Sequence, residues 1–187
     1  MSYCHQPFYF VEVHYDGWVS PCCPAYINKY RFGNIYDKSF DTIWNSPEAL
    51  EFRKKVAGKS SEFPCDLTVC MRENELLYPE IRIAPTHTTV NKGYAEYPKI
   101  IKFWHDAECN LMCITYRNKI KRNTDEHLRL LDEKIDSVFL PMVKNAEMVC
   151  FSGNGDPFAS RHYARLIQAI SSQYPHITFN LHTNGLL

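Results

Sequence analysis

The eight cysteines of this 187-residue chain, and the gaps between them, constrain its fold more than any other feature. Cys4, Cys22, Cys23, Cys65 and Cys70 lie in the first 70 residues, and Cys109, Cys113 and Cys150 lie beyond residue 100. Grouped thiols are read as disulfides in an oxidising compartment and as metal ligands in a reducing one. The start, Met1-Ser2-Tyr3-Cys4-His5, lacks the charged-then-apolar pattern of a secretory signal. The expectation is therefore a cytoplasmic protein whose clustered cysteines bind metal.

Composition narrows the alternatives. Hydrophobic residues make up 45% of the chain, enough for one or two packed domains and too many for a disordered protein. The 21 basic and 21 acidic residues cancel, so there is no electrostatic case for nucleic acid or a membrane surface as partner. No apolar run approaches the ~20 residues that span a bilayer.

Local patterns then divide the chain. Phe8 to Tyr15 is aromatic and β-branched and reads as a strand. Asp16-Gly17 turns it back into Trp18-Val19-Ser20. Phe32 to Ile35 reads as a loop, and Phe40 to Trp44 as a short helical turn. Ser46 and Pro47 open a helix that Gly58 stops. Prolines 79, 85 and 98 with Gly93 predict a linker over 79–98, between a 1–78 module and a 99–187 domain. Lys99 to Trp104 is a strand. Thr124 caps a helix carrying Leu128, Leu131, Ile135, Val138 and Phe139 on one face, which Pro141 ends. Glu147 to Phe151 is a buried-type strand, Ser160 opens another helix, and Ile177 to His182 alternates as a third strand. The fold class is α/β: a small cysteine-rich β-hairpin and helix module of α+β type, then about three β/α units.

Two sets of motifs carry a family resemblance. The block Cys109-Asn110-Leu111-Met112-Cys113-Ile114-Thr115-Tyr116 follows a strand. Ser152-Gly153-Asn154-Gly155-Asp156-Pro157 follows the next strand, and His182-Thr183-Asn184-Gly185 the third. Together they resemble the cluster loop, glycine-rich motif and third strand of the radical SAM superfamily. Cys4, Gly17 and Cys22, then Phe32-Gly33-Asn34-Ile35, Ile43-Trp44-Asn45-Ser46, Arg53, Cys65 and Cys70 resemble a SPASM or twitch-type cluster module. That module usually follows the barrel; here it comes first.

The resemblance implies a partial radical SAM-type barrel and one or two 4Fe-4S clusters. Cys4, Cys22, Cys65 and Cys70 would ligate one, and Cys109 and Cys113 part of another. S-Adenosylmethionine would be the cosubstrate, held by Gly153, Gly155, Asp156 and Asn184, with the backbone of Ile114 at the adenine. In the family an electron from the cluster cleaves S-adenosylmethionine to a 5′-deoxyadenosyl radical that abstracts hydrogen from substrate. The substrate classes in view are a peptide and a sugar-linked metabolite. Tyr116 stands where the third cluster cysteine is expected, and a phenolate is a harder donor that ionises less readily than a thiol. Three β/α units are half the family's barrel, so a partner chain or further units would complete it.

Other readings stay open. Four thiolates satisfy zinc as well as iron–sulfur. A non-catalytic partner subunit keeping the N-terminal site alone is the second function class. Cys23 and Cys150 read as small core residues. His5, His14, His87, His105, His127, His162 and His176 show no ligand spacing and read as surface residues. His182 falls on the polar side of the third strand.

Overall fold

The structure, a computed structural model, describes residues 4–22, 30–59, 64–65, 93–113, 118–151 and 155–186. The expectations for Cys23, Cys70, residues 79–92, Ile114, Tyr116 and Gly153 lie outside them. The fold is mixed α/β. Contacts divide the chain into two compact units: residues 1–12 with 18–99, and residues 13–17 with 100–187.

β1 (Phe10–His14), whose last two residues group with the second unit, and β2 (Trp18–Ser20) form the expected hairpin, Gly17 taking a φ of 82° at the turn. The stretch expected as a loop instead contains β3 (Gly33–Asn34), antiparallel to β2 with Trp18 opposite Asn34. A two-residue strand has too little alternation to be seen in sequence; the pairing partner makes it. Next come α1 (Phe40–Trp44) and α2 (Pro47–Lys54). Ser46 caps α2 by accepting from the Ala49 N–H at 3.2 Å. The helix relaxes into a π-type turn over Lys55–Lys59, where Gly58 takes a φ of 79°, the stop expected of it. Phe10, Phe32, Ile43, Trp44 and Phe52 form the core.

Arg53 lies inside this core, fully buried. Its Nε donates to the Pro7 carbonyl at 2.7 Å, and one terminal nitrogen donates to Asn45 Oδ1 at 3.0 Å and the Gly93 carbonyl at 3.4 Å. The guanidinium carbon lies 3.9 Å from the Trp44 ring centroid. Burial pushes the group down to about 9, still cationic at neutral pH. Residues 93–99 close over the same place. The Ala95 carbonyl accepts from Trp44 Nε1 at 3.1 Å and from the Asn45 amide at 2.9 Å.

The second unit holds the parallel strands β4 (Ile100–Trp104), β5 (Met148–Phe151) and β6 (Thr178–Leu181). Phe103 lies opposite Phe151, and Phe151 opposite Leu181. Crossovers run through α3 (Asp125–Asp132), α4 (Leu140–Val143) and α5 (Arg161–Gln173). Thr124 and Ser160 cap α3 and α5 as expected, each accepting a backbone N–H three residues on. Pro141 does not end the helical path. A π-type turn at Ile135–Phe139 resets the helix, and Pro141 falls in the first turn of α4, where its missing N–H costs nothing.

Three histidines read as surface residues are buried. His105 and His162 are fully enclosed, and His14 nearly so. Spacing could not show this, because Phe139, His162 and Tyr163, which enclose His105, are distant from it in sequence. His105 stacks on Phe139, with ring centroids 4.5 Å apart, and meets Phe103 and Tyr163 edge-on.

Candidate functional site

Parallel strands deliver their C-terminal ends, and the loops after them, to one edge of a sheet. The loops after β4, β5 and β6 hold Cys109, then Gly155 and Asp156, then Asn184. The structure brings these four sequence-predicted residues together.

The loop after β4 is fixed before it reaches Cys109. Asp106 is buried: its Oδ1 accepts from the Glu108 N–H at 2.9 Å and the Asn123 amide at 2.8 Å, and its Oδ2 accepts from the Ser160 hydroxyl. The Asp106 N–H donates to the Tyr163 hydroxyl at 2.9 Å. Glu108, also buried, accepts from the Arg161 backbone N–H at 3.1 Å and faces the Arg161 guanidinium at 3.6 Å. A carboxylate at the first turn of α5 is favoured by the exposed N–H groups there.

Gly155 is shaped by this loop. A side-chain carbon on it would lie 2.6 Å from the Glu108 carbonyl oxygen and 2.8 Å from that of Asp106. Such backbone contact is open only to glycine. The next N–H, that of Asp156, donates to the same Glu108 carbonyl at 2.9 Å.

The Asp156 carboxylate joins the loops after β5 and β6. Oδ1 accepts from the N–H groups of Phe158 at 3.0 Å and Ala159 at 3.3 Å. Oδ2 accepts from the Asn184 N–H at 2.7 Å and the Thr183 hydroxyl at 2.8 Å. Burial opposes its ionisation, but these four donors outweigh burial and hold the acid below the ordinary aspartate range. Four donors match the acceptor capacity of an ionised carboxylate.

Asn184 completes the convergence. Its side-chain amide donates to Cys109 Sγ at 3.8 Å and to Asn110 Oδ1 at 2.9 Å. The Leu111 N–H approaches the same sulfur at 3.4 Å. N–H donors aimed at a cysteine sulfur tune any metal it holds. Cys109 is buried, Cys113 half-buried, and Cys150 is a core residue of β5, as expected. His182 is exposed.

In the first unit Cys4, Cys22 and Cys65 are half-buried thiols. The Cys4 N–H donates to the Val56 carbonyl at 3.0 Å, which ties the chain start to the end of α2. Among the described residues no three of His, Cys, Asp and Glu are grouped to hold a metal ion. The donor chemistry suits one: soft thiolates, with Cys70 as the fourth by sequence, are what iron–sulfur clusters use.

Residues 4–71 match the SPASM family, an iron–sulfur cluster-binding domain. The SPASM match covers the N-terminal cysteines and the Gly33-Asn34 and Trp44-Asn45-Ser46 pieces quoted above, and it supports iron–sulfur binding by this region. No curated protein and no solved structure matches the chain. No helix of the described residues is long and apolar enough to cross a membrane.

Sequence reasoning missed several groups around the site. Asp106, Glu108 and the pair His105 and His162 gave no signal beyond their closeness to Cys109 or to the Ser160 cap. Arg53 was noted only as part of the SPASM resemblance, not as a buried cation.

Proposed function

We propose that this chain is a radical SAM-type iron–sulfur protein that acts on S-adenosylmethionine. Cys4, Cys22, Cys65 and Cys70 would hold one 4Fe-4S cluster, and Cys109 and Cys113 would hold a second, with Tyr116 in the third ligand position. When bound, that second cluster supplies the electron for reductive cleavage of S-adenosylmethionine. The observation that carries the reading is the meeting of Cys109, Gly155, Asp156 and Asn184 at the ends of three parallel strands.

The residues of the chain divide the work. Asn184 and the Leu111 N–H direct hydrogen bonds at Cys109 Sγ and fix its position. Gly155 lets the loops close together. Asp156 sets the position of Asn184, and its Thr183 contact is the bond a methionyl ammonium would replace, since a hydroxyl can turn to solvent. Ile114 and Gly153 stand as adenine and methionine contacts by resemblance alone. A peptide or sugar-linked metabolite is the proposed substrate class, with a partner chain or further β/α units completing the barrel.

A second reading has its own support. Tyr116 supplies a hard oxygen where a thiolate is expected, and Asp156 is saturated by internal donors. Both suit a non-catalytic subunit that keeps only the N-terminal iron–sulfur or zinc site. Anaerobic purification with iron, sulfide and zinc analysis separates the readings. About eight irons per chain fits two 4Fe-4S clusters, about four fits one, and zinc without sulfide fits a zinc-stabilised module with no cluster. If the native chain, reduced, neither holds the second cluster nor cleaves S-adenosylmethionine, and Tyr116→Cys does both, the second reading holds for the native chain.

A further inference from the structure

We propose that Asp132, His162 and His105 form a proton-operated latch on the loop that carries Cys109. Asp132 of α3 meets His162 Nδ1 of α5 at 2.9 Å. His162 Nε2 meets His105 Nε2 at 2.9 Å. His105 opens the loop after β4, and the next residue, Asp106, is bound to Ser160 and Tyr163 on either side of His162. One turn of α5 therefore grips the loop four residues before Cys109.

Hydrogen-bond counting sets the protons. Asp132 is an acceptor, so His162 carries its proton on Nδ1 and presents a lone pair at Nε2. His105 must then carry its proton on Nε2. That leaves His105 Nδ1 as a buried acceptor with no partner among the described residues. One added proton breaks the arrangement. If His162 takes it, both its nitrogens donate, and the His105 proton must move to Nδ1, where nothing accepts it. A buried unpaired donor costs about 1–3 kcal/mol. If His105 takes it, a cation is enclosed by aromatic rings.

The surroundings fix the direction. Facing the pair are Asp132 and His127 from α3, Arg165 from α5 on the far side of Asp132, and Asp106 from the loop. The 135–139 turn offers only the uncharged Phe139 ring. Burial lowers the affinity of both imidazoles for protons, and for His162 it outweighs Asp132 and Asp106. Depressed bases mean that the open loop binds more protons than the closed one. The closed form is fully favoured above the ordinary histidine pKa of about 6.5 and loses ground as pH falls below it.

The inference rests on the reading above for what the loop carries, but the latch is tested on the full chain without metal, so the two can fail separately. Hydrogen exchange, corrected for intrinsic rates, is followed at the Glu108 and Cys109 amides from about pH 7.5 to about pH 5. Protection should fall about tenfold per pH unit for each proton taken up. Amides of α2 should not follow. Asp132→Asn removes the anion that favours a charged His162 in the closed form, so the fall should begin at the same pH and run on to lower pH than in the native chain. Protection that stays level with pH overturns the latch. So does an Asp132→Asn chain that loses protection equally at every pH, its fall ending where that of the native chain ends, which marks Asp132 as merely structural.

Discussion

A side-chain carbon at position 155 would sit 2.6 Å from the Glu108 carbonyl oxygen, so Gly155 and Glu108 meet backbone to backbone. Gly155→Ala should force the loops after β4 and β5 apart. The expected loss is about 1–3 kcal/mol in the second unit, as for other overpacked sites. Urea unfolding followed by Phe and Tyr environments in that unit checks it. An unchanged midpoint would mean that the loops give way freely.

Asp156→Asn replaces a carboxylate that accepts four bonds with an amide that can accept on one atom only. The amide nitrogen would face donors, and a loss of about 2–3 kcal/mol is expected near neutral pH. The native acid is depressed on folding, so its stabilisation is complete above the unfolded value of about 3.9 and disappears as pH falls toward the folded value. Native stability should therefore drop on acidification below about pH 4, while this residue's share of that drop is missing from Asp156→Asn. Equal acid profiles for the two chains would refute this role.

Arg53→Lys keeps the charge but not the planar fork. A lysine cannot serve Pro7, Asn45 and Gly93 together, nor lie flat on Trp44. The expected cost is about 2 kcal/mol or more, with a thermal midpoint lower by several degrees. Differential scanning calorimetry reads it directly. A variant as stable as the native chain would show that the stacked fork is dispensable.

Cys22→Ser and Cys23→Ser separate two neighbouring thiols. Only Cys22 keeps the four-residue gap after Gly17 that the SPASM resemblance uses. Iron and sulfide per chain should fall by about half or more in Cys22→Ser and stay near the native value in Cys23→Ser. The reverse result would reassign the ligand.

What the sequence determined by itself were features settled by near neighbours. Caps at Ser46, Thr124 and Ser160, the stop at Gly58 and the turn at Gly17 depend on residues within one turn of chain. The three strands of the second unit were legible from apolar runs and alternation. The cysteine spacing and the Gly-Asn and Trp-Asn-Ser pieces carried the SPASM resemblance, which the family match supports. Tertiary structure alone decided the rest. β3 exists because β2 supplies its partner. His105 and His162 are enclosed because β4, α5 and the 135–139 turn converge on them, though all lie apart in sequence. The donors that saturate Asp156 come from residues both adjacent to it and more than twenty positions away. A residue's type shows which bonds it can make, but burial and partners are set by long-range packing, and that is where a histidine becomes a latch and an aspartate becomes a joint.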